Sequence, residues 1–253
     1  MSNLWKDFTS TADKYCRYIN VDNFNYAINI SLKHNYIFVE TPKVGCSSIK
    51  LTLQRLELGD SSFSREDFED LHRRDYSPLL RPQQVGDIDA VLKREGLFRF
   101  CFVRNPYTRL LSCYLEKING NKHQKVQILR QLGFGQNDIN KEISFETFVD
   151  AVIHQPISMM DPHWRHQYYQ TFQDSIQYDF IGKFEQFDAH LNEALHRITP
   201  EYTHYLSTED RHSQDTAEAL DQYYTPQLRE QVYRCFEKDF QYFKYPADLH
   251  GNG

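Results

Sequence analysis

Tyr36-Ile37-Phe38-Val39-Glu40-Thr41-Pro42-Lys43-Val44-Gly45-Cys46-Ser47-Ser48-Ile49-Lys50 decides how this chain is read. Its first four residues are a continuous apolar run, which suits a short strand buried on both faces. Thr41 to Gly45 make a turn, and Ile49, Leu53 and Leu56 then recur at helical spacing up to Gly59. A helix that starts straight after a strand gathers backbone N–H groups and a partial positive charge at one point. Lys43 adds a point charge on a flexible stem, Gly45 allows close approach of the backbone, and Ser47 and Ser48 add hydroxyl donors. This set suits an anion such as a phosphate. It is not the triphosphate-binding frame G-x-x-x-x-G-K-[ST], because the lysine precedes the glycine and the two-glycine frame is absent. Taken alone, the turn reads equally as an ordinary strand–helix connection.

On the N-terminal side, Tyr26, Ile28, Ile30 and Leu32 alternate as in a half-buried strand, and His34-Asn35 supplies a turn. On the C-terminal side, Phe98 to Val103 form a second strong strand. Asn105 is suited to cap a helix and Pro106 to open it, with Tyr107, Leu110, Leu111, Tyr114 and Ile118 as the apolar stripe. Arg104 stands at the end of that strand, and in a parallel sheet the C-terminal strand ends line the ligand crevice. Guanidinium suits bidentate contact with a phosphate, and Ser112 offers a further hydroxyl. The plainer alternative pairs Arg104 with a local carboxylate and makes Ser112 a small helix-packing residue.

Elsewhere the pattern is coarser. Residues 60–86 are charged, contain proline and lack a period, as in a long surface segment. Ile88, Val91 and Leu92 predict a short helix ended by Gly96, and residues 120–143 read as an exposed excursion. A helix is expected over 145–153, a third strand over 176–181, and a helix carrying Phe187, Leu191, Leu195 and Ile198. Thr225-Pro226 opens a last long helix with Leu228, Val232, Cys235, Phe236 and Phe240 facing inward. No repeat or linker is visible, so one domain over 1–253 is expected, with 1–22 as a lead-in and 246–253 as a flexible tail. Strands alternating with helices predict an α/β fold: three layers, P-loop-like, with a central, mainly parallel sheet flanked by helices.

Composition excludes several classes. The chain has 253 residues, 40% hydrophobic and 25% charged, enough for a normal core. A net charge of -6 gives no global basic field for nucleic acid. No apolar run reaches the roughly 20 residues of a membrane span, and Met1 to Asp7 lack the apolar core of a signal peptide. The 5 cysteines are scattered, which fits reduced thiols rather than a disulfide framework or structural zinc. The chain therefore reads as cytoplasmic. The 17 tyrosines and 18 phenylalanines suit a thick aromatic core or a sugar-binding cleft.

Two stretches, each between a strand and a helix, carry a family likeness. Thr41-Pro42-Lys43-Val44-Gly45-Cys46-Ser47-Ser48 resembles the 5′-phosphosulfate loop of sulfotransferases that use 3′-phosphoadenosine 5′-phosphosulfate (PAPS). Phe102-Val103-Arg104-Asn105-Pro106-Tyr107-Thr108-Arg109-Leu110-Leu111-Ser112 resembles their 3′-phosphate segment. The chain is most similar to carbohydrate sulfotransferases of the chondroitin/dermatan 4-O and HNK-1 group, and more distantly to heparan sulfate 2-O enzymes. The likeness continues through His163-Trp164, through Tyr178 to Glu185, and into Asp239-Phe240, covering most of residues 20–245. The animal enzymes carry an N-terminal anchor and a cysteine pair between the His-Trp and Tyr-Asp segments that are not seen here. Both departures imply a soluble bacterial member and leave any animal substrate open.

The resemblance implies that Lys43, Val44, Gly45, Cys46, Ser47 and Ser48 hold the 5′ end of PAPS, and that Arg104 and Ser112 hold its 3′-phosphate. Arg211 and Ser213 lie where related enzymes close a loop over the donor. Lys43 is expected to offset charge on the bridging oxygen as the sulfur–oxygen bond breaks, with PAP (adenosine 3′,5′-bisphosphate) as product and no metal required. The acceptor, a hydroxyl of a polysaccharide, oligosaccharide or glycolipid, has to lose a proton to a base. His72 matches the histidine that relatives carry between the two phosphate motifs; its alternative is a place in a solvated charged loop. The rival base is His163, in a polar-aromatic cluster with Asp161, Trp164, Arg165 and His166; a structural segment, or a zinc pair of His163 and His166, are the other readings. Arg73, Arg74 and Arg81 are candidates for an acidic sugar chain, or ordinary surface charges. The other functions left open are a nucleotide kinase or hydrolase, and a non-catalytic glycan-binding protein on the same fold.

Overall fold

The computed structural model describes residues 3–64, 71–206 and 219–248. They fall into two compact units, one of residues 3–103 and 171–206, the other of 104–170 and 219–248.

The first unit is built on a four-stranded sheet. Strands β1 (Ile28–Ser31), β2 (Tyr36–Val39), β3 (Phe98–Val103) and β4 (Phe180–Lys183) lie side by side in that order. β1 runs antiparallel to β2, with Ile30 opposite Ile37, whereas β2, β3 and β4 are parallel. The mixed α/β architecture with a mainly parallel sheet is the one the strand–helix alternation predicts. Tyr36, Phe38, Phe100 and Phe102 occupy one face, following the two-residue period of a strand. Against them pack Val44, Ile49, Leu53 and Leu56 of the β2 connection, and Phe187, Leu191, Ala194 and Leu195 of the Phe187–Ile198 helix. The expected aromatic core is therefore real: the Phe38 and Phe100 rings lie 5.2 Å apart and the Phe102 and Phe187 rings 5.6 Å. Gly182 sits opposite Phe102 in the sheet, and a Cβ there would come within 2.5 Å of that ring. Gly182→Ala is accordingly expected to cost about 1–3 kcal/mol through overpacking, readable as a lower denaturant midpoint.

Several sequence expectations shift. Tyr26 belongs to the Val21–Ala27 helix rather than to a strand, because Asn20 caps that helix by accepting from the Asn23 N–H at 2.8 Å. β1 is buried throughout, Asn29 and Ser31 included. Burial is tolerated because both are bonded: Asn29 donates to the Ala27 carbonyl at 3.1 Å and Ser31 to Glu57 at 2.6 Å. The segment expected to be surface also enters the core. Leu79 is buried, Ile30 and Leu80 form a two-bond bridge, and Arg74 is buried against the Asn29 side chain and the Ile28 and Leu80 carbonyls. Arg74 is thus a structural residue and not a surface contact for a sugar chain. Arg81 pairs with Asp75 at 2.9 Å and Arg73 lies over the Tyr76 ring. The third parallel strand begins at Phe180, later than the 176–181 window.

The second unit is helical. Pro106–Cys113 follows β3 in the chain; Asn105 caps it, its side chain accepting from the Tyr107 N–H at 2.9 Å. One π-helical turn, Tyr114–Asn119, continues it. The stretch read as exposed contains the Lys125–Gln131 helix, which buries Ile128 and Leu129. Phe145–Ile153 forms as predicted. The last helix is broken in two, Pro226–Cys235 and Glu237–Tyr242, at Phe236, whose ring packs on His166 at 4.7 Å. Thr225 caps the first piece as expected, accepting from the Leu228 N–H. Among the described residues, no helix is long and apolar enough to cross a membrane.

Candidate functional site

In the first unit the site starts at the turn after β2. Two residues there adopt the left-handed region, Lys43 at φ 73° and Gly45 at φ 78°. Gly45 is forced to be glycine twice over, since a Cβ would also come within 2.5 Å of the Phe187 ring. Gly45 is the N-cap of the Cys46–Leu58 helix, and no side chain caps that end. Val44 sends its side chain into the core, leaving its backbone to the turn. Lys43, Cys46, Ser47 and Ser48 are half-buried along its rim.

Beneath this turn lies a buried charge cluster. Ser47 Oγ is 3.1 Å from His72 Nε2. His72 Nδ1 is 3.2 Å from Lys50 Nζ and 3.4 Å from Glu40 Oε1. Lys50 Nζ reaches Glu40 Oε2 at 2.5 Å, and both side chains are almost wholly out of solvent. Burial works to raise the Glu40 pKa, but Lys50 and His72 overcome it and hold the carboxyl well below its ordinary range. Lys50 also faces the Tyr26 ring, 5.1 Å from its centroid. Glu40, Cys46 and His72 place their ligand atoms within 4.8 Å of one another, a grouping able to hold a metal ion. Here the Lys50 ammonium, in an ion pair with Glu40 and 3.2 Å from His72 Nδ1, is a cation in that cluster.

In the second unit Arg104 is buried and its backbone is clamped. The Gln167 side-chain amide accepts from the Arg104 N–H at 2.8 Å and donates to the Arg104 carbonyl at 2.7 Å. Gln167 is in turn held by Asp239, whose carboxylate accepts from the Gln167 and Tyr168 N–H groups at 2.7 and 2.8 Å. Arg104 Nε donates to Thr108 Oγ1 at 3.1 Å, and Thr108 and Ser112 are one helical turn apart on one stripe. Asp161 makes a second tight set. Its Oδ1 accepts from the His163 backbone N–H at 2.9 Å and lies 2.7 Å from His163 Nδ1. Burial raises the Asp161 pKa, but His163 and then Arg165 bring it below its ordinary value. Arg109 braces this turn by donating to the Arg165 and Pro162 carbonyls, each at 2.8 Å.

The zinc reading of His163 and His166 finds no support. His166 is buried against Phe236, burial pushes its pKa down to about 4, and the metal-capable grouping among the described residues includes neither histidine. All five cysteines are thiols, as expected. Arg211 and Ser213 lie outside the described residues.

Sequence reading missed Glu40, Lys50, Gln167 and Asp239. The first two had a signal. Besides Lys43 they are the only charges in the 36–50 stretch, one ending a buried strand and the other inside an apolar helical run. Two such residues have to find each other. Gln167 and Asp239 carried no local signal, because their partners are distant in the chain.

The chain is similar to three human proteins along most of its length. It is 30% identical to carbohydrate sulfotransferase 8 over 241 residues, which is 86% of this chain and 56% of the relative. It is 25% identical to carbohydrate sulfotransferase 14 over 232 residues, 87% of this chain and 60% of the relative. It is 28% identical to carbohydrate sulfotransferase 9 over 237 residues, 86% of this chain and 53% of the relative. The chain thus spans a little over half the length of these relatives. No solved structure gives a significant match. The sulfotransferase family pattern runs over residues 26–246, through the β2 turn, the Arg104 segment, the Asp161–His163 turn and Asp239, and the chain belongs to that family.

Proposed function

We propose that this chain transfers the sulfuryl group of PAPS to a hydroxyl group of a carbohydrate. The observation that carries the reading is the β2 turn: a left-handed lysine and glycine lead into a helix start that no side chain caps, with Ser47 and Ser48 in its first turn. That arrangement fits the 5′ end of the donor. Gly45 to Ser48 would hold it through backbone N–H and hydroxyl groups. Arg104, kept rigid by Gln167, would hold the 3′-phosphate together with Ser112. When bound, the donor supplies an activated sulfuryl group on a phosphate leaving group. Lys43 then offsets the negative charge that grows as this group departs, and a histidine, His72 or His163, accepts the proton of the attacking hydroxyl.

The carbohydrate class of the acceptor is supported by the three relatives, each named a carbohydrate sulfotransferase. We read the two compact units as parts of one sulfotransferase domain, because the family match runs through both. A cytoplasmic setting is supported by the five thiols.

The test is movement of label from ³⁵S-PAPS to a glycan mixture. Arg104→Ala is expected to weaken PAP binding by roughly 10-fold or more, in keeping with loss of a charge-assisted contact of about 1.5–3 kcal/mol, measured by calorimetry. Binding of ATP in place of PAP would turn the reading toward a kinase or hydrolase. Binding of glycan and PAP without label transfer to any acceptor would turn it toward a non-catalytic protein.

A further inference from the structure

His72 meets two residues on one face of the Cys46–Leu58 helix and one at the end of β2. Ser47 and Lys50 are three residues apart, so both face the ring, Ser47 at Nε2 and Lys50 at Nδ1. Glu40 also stands on the Nδ1 side, with Oε1 3.4 Å away. The Glu40 side chain is 3% exposed and that of His72 33%. A bound molecule can therefore reach the histidine but not the carboxylate, and Glu40 acts on it only through the ring.

The carboxylate divides its two oxygens. Oε2 takes the Lys50 ammonium at 2.5 Å, and Oε1 is left to the ring. Burial works against the charge on Glu40, but Lys50, and after it the hydrogen bond and charge of His72, hold the carboxyl ionised. An ammonium has donors only, and an ionised carboxylate only accepts. Of the two groups beside Nδ1, Glu40 is thus the one that can take a hydrogen from it. Lys50 has Glu40 Oε2 and the face of the Tyr26 ring to turn to. Across the ring, Nε2 lies 3.1 Å from the Ser47 hydroxyl, on the side of the donor turn. A proton taken up by His72 has to arrive there, so the neutral ring keeps its own hydrogen on Nδ1, against Glu40. Ser47 has a single hydrogen to donate. Once that hydrogen turns to the donor phosphate, the Nε2 lone pair is open to an acceptor hydroxyl.

We propose that Glu40 is a positioning residue: with Lys50 on its other oxygen, it holds the His72 ring with Nδ1 protonated and Nε2 open toward the donor turn, and it offsets the charge the ring gains on taking a proton. This rests on the sulfotransferase reading above, with His72 as the base. In the step, the acceptor O–H bond breaks and its proton passes to His72 Nε2. The acceptor oxygen bonds to sulfur, and the sulfur–oxygen bond to the donor phosphate breaks with its electron pair leaving on the phosphate. The charged and titratable groups around His72 are Glu40 from the end of β2 and Lys50 and Cys46 from the helix, with Tyr26 and Arg74 bordering Glu40.

Two measurements on the full chain test this. Long-range ¹H–¹⁵N correlation of protein labelled at histidine, at mildly alkaline pH, is expected to show His72 as the Nδ1–H tautomer. An Nε2–H tautomer, or a doubly protonated ring, overturns the proposal, and this reading needs neither a variant nor turnover. Glu40→Gln keeps the shape of the side chain and removes its charge. It is expected to lower kcat by about 10²–10⁴-fold, the range of a general base. The acid limb of the kcat–pH profile is expected to move to lower pH, because the protonated ring has lost its anion. PAP affinity is expected not to fall, since the group removed is an anion and not a phosphate contact. Unchanged kcat with an unmoved acid limb overturns the proposal. A loss of PAP affinity as large as the loss of kcat also overturns it, because it marks a collapsed turn. If Glu40→Gln does not fold, Glu40→Gln/Lys50→Met replaces it, and kcat equal to the parent's there overturns the proposal. Label transfer alongside an Nε2–H ring overturns this inference alone, and an Nδ1–H ring without label transfer to any acceptor overturns the function.

Discussion

Replacing Lys43 with alanine is expected to lower kcat for label transfer by about 10²–10³-fold, the loss typical of one preorganised group aimed at developing charge. The fold should survive it. Lys43 sits at φ 73°, where any residue with a Cβ pays roughly 1–2 kcal/mol relative to right-handed backbone. Alanine keeps the Cβ and therefore the same cost, so the change reports on the ammonium and not on the turn. Lys43→Gly sharpens the comparison. Glycine relieves the backbone, so this variant is expected to melt no lower than the parent while losing the same activity. Initial rates with labelled donor, set beside thermal melts of both variants, separate the two effects. PAP affinity should fall less than kcat, because the lysine acts where charge grows during the reaction. Retained turnover in either variant would remove Lys43 from the chemistry.

How much of this was legible beforehand depends on the range of the interaction. The sheet could be read because Tyr36 to Val39 is an apolar run and Phe98 to Val103 is apolar apart from Arg99, patterns whose meaning is local. Helix starts could be read because Asn105 and Thr225 cap N–H groups two or three residues on. The break at Phe236 could not, since the residue's packing partner there, His166, comes from another part of the chain. The same holds for Arg74: in sequence it is one of three arginines in a charged stretch, and in the fold it bonds to Asn29, 45 residues away. The candidate site divides likewise. Lys43, Gly45, Ser47 and Arg104 follow from strand–turn–helix logic, whereas the Gln167–Asp239 clamp on Arg104 joins residues 63 and 72 positions apart.

Lys50→Met carries the largest expected effect on stability. It leaves Glu40 buried beside an apolar side chain, and breaking a buried pair from one side costs about 3–5 kcal/mol. For a chain of this size each kcal/mol shifts the melting temperature by roughly 2–4 °C, so a fall of about 10 °C at neutral pH is expected. The pH dependence fixes the cause. In the parent the Glu40 pKa is depressed, so its stabilising contribution is complete above the ordinary carboxyl value of 4.5 and is lost as pH falls from there through the folded value of about 2. In Lys50→Met the main force lowering that pKa is gone while the burial that raises it stays. The deficit against the parent should therefore shrink as pH is lowered and Glu40 becomes neutral. Glu40→Gln/Lys50→Met should recover most of the loss at neutral pH, because removing both charges of a buried pair together is close to neutral. A single variant that melts like the parent, or a double variant no better than the single, would mean that Lys50 and Glu40 do not act as a buried ion pair.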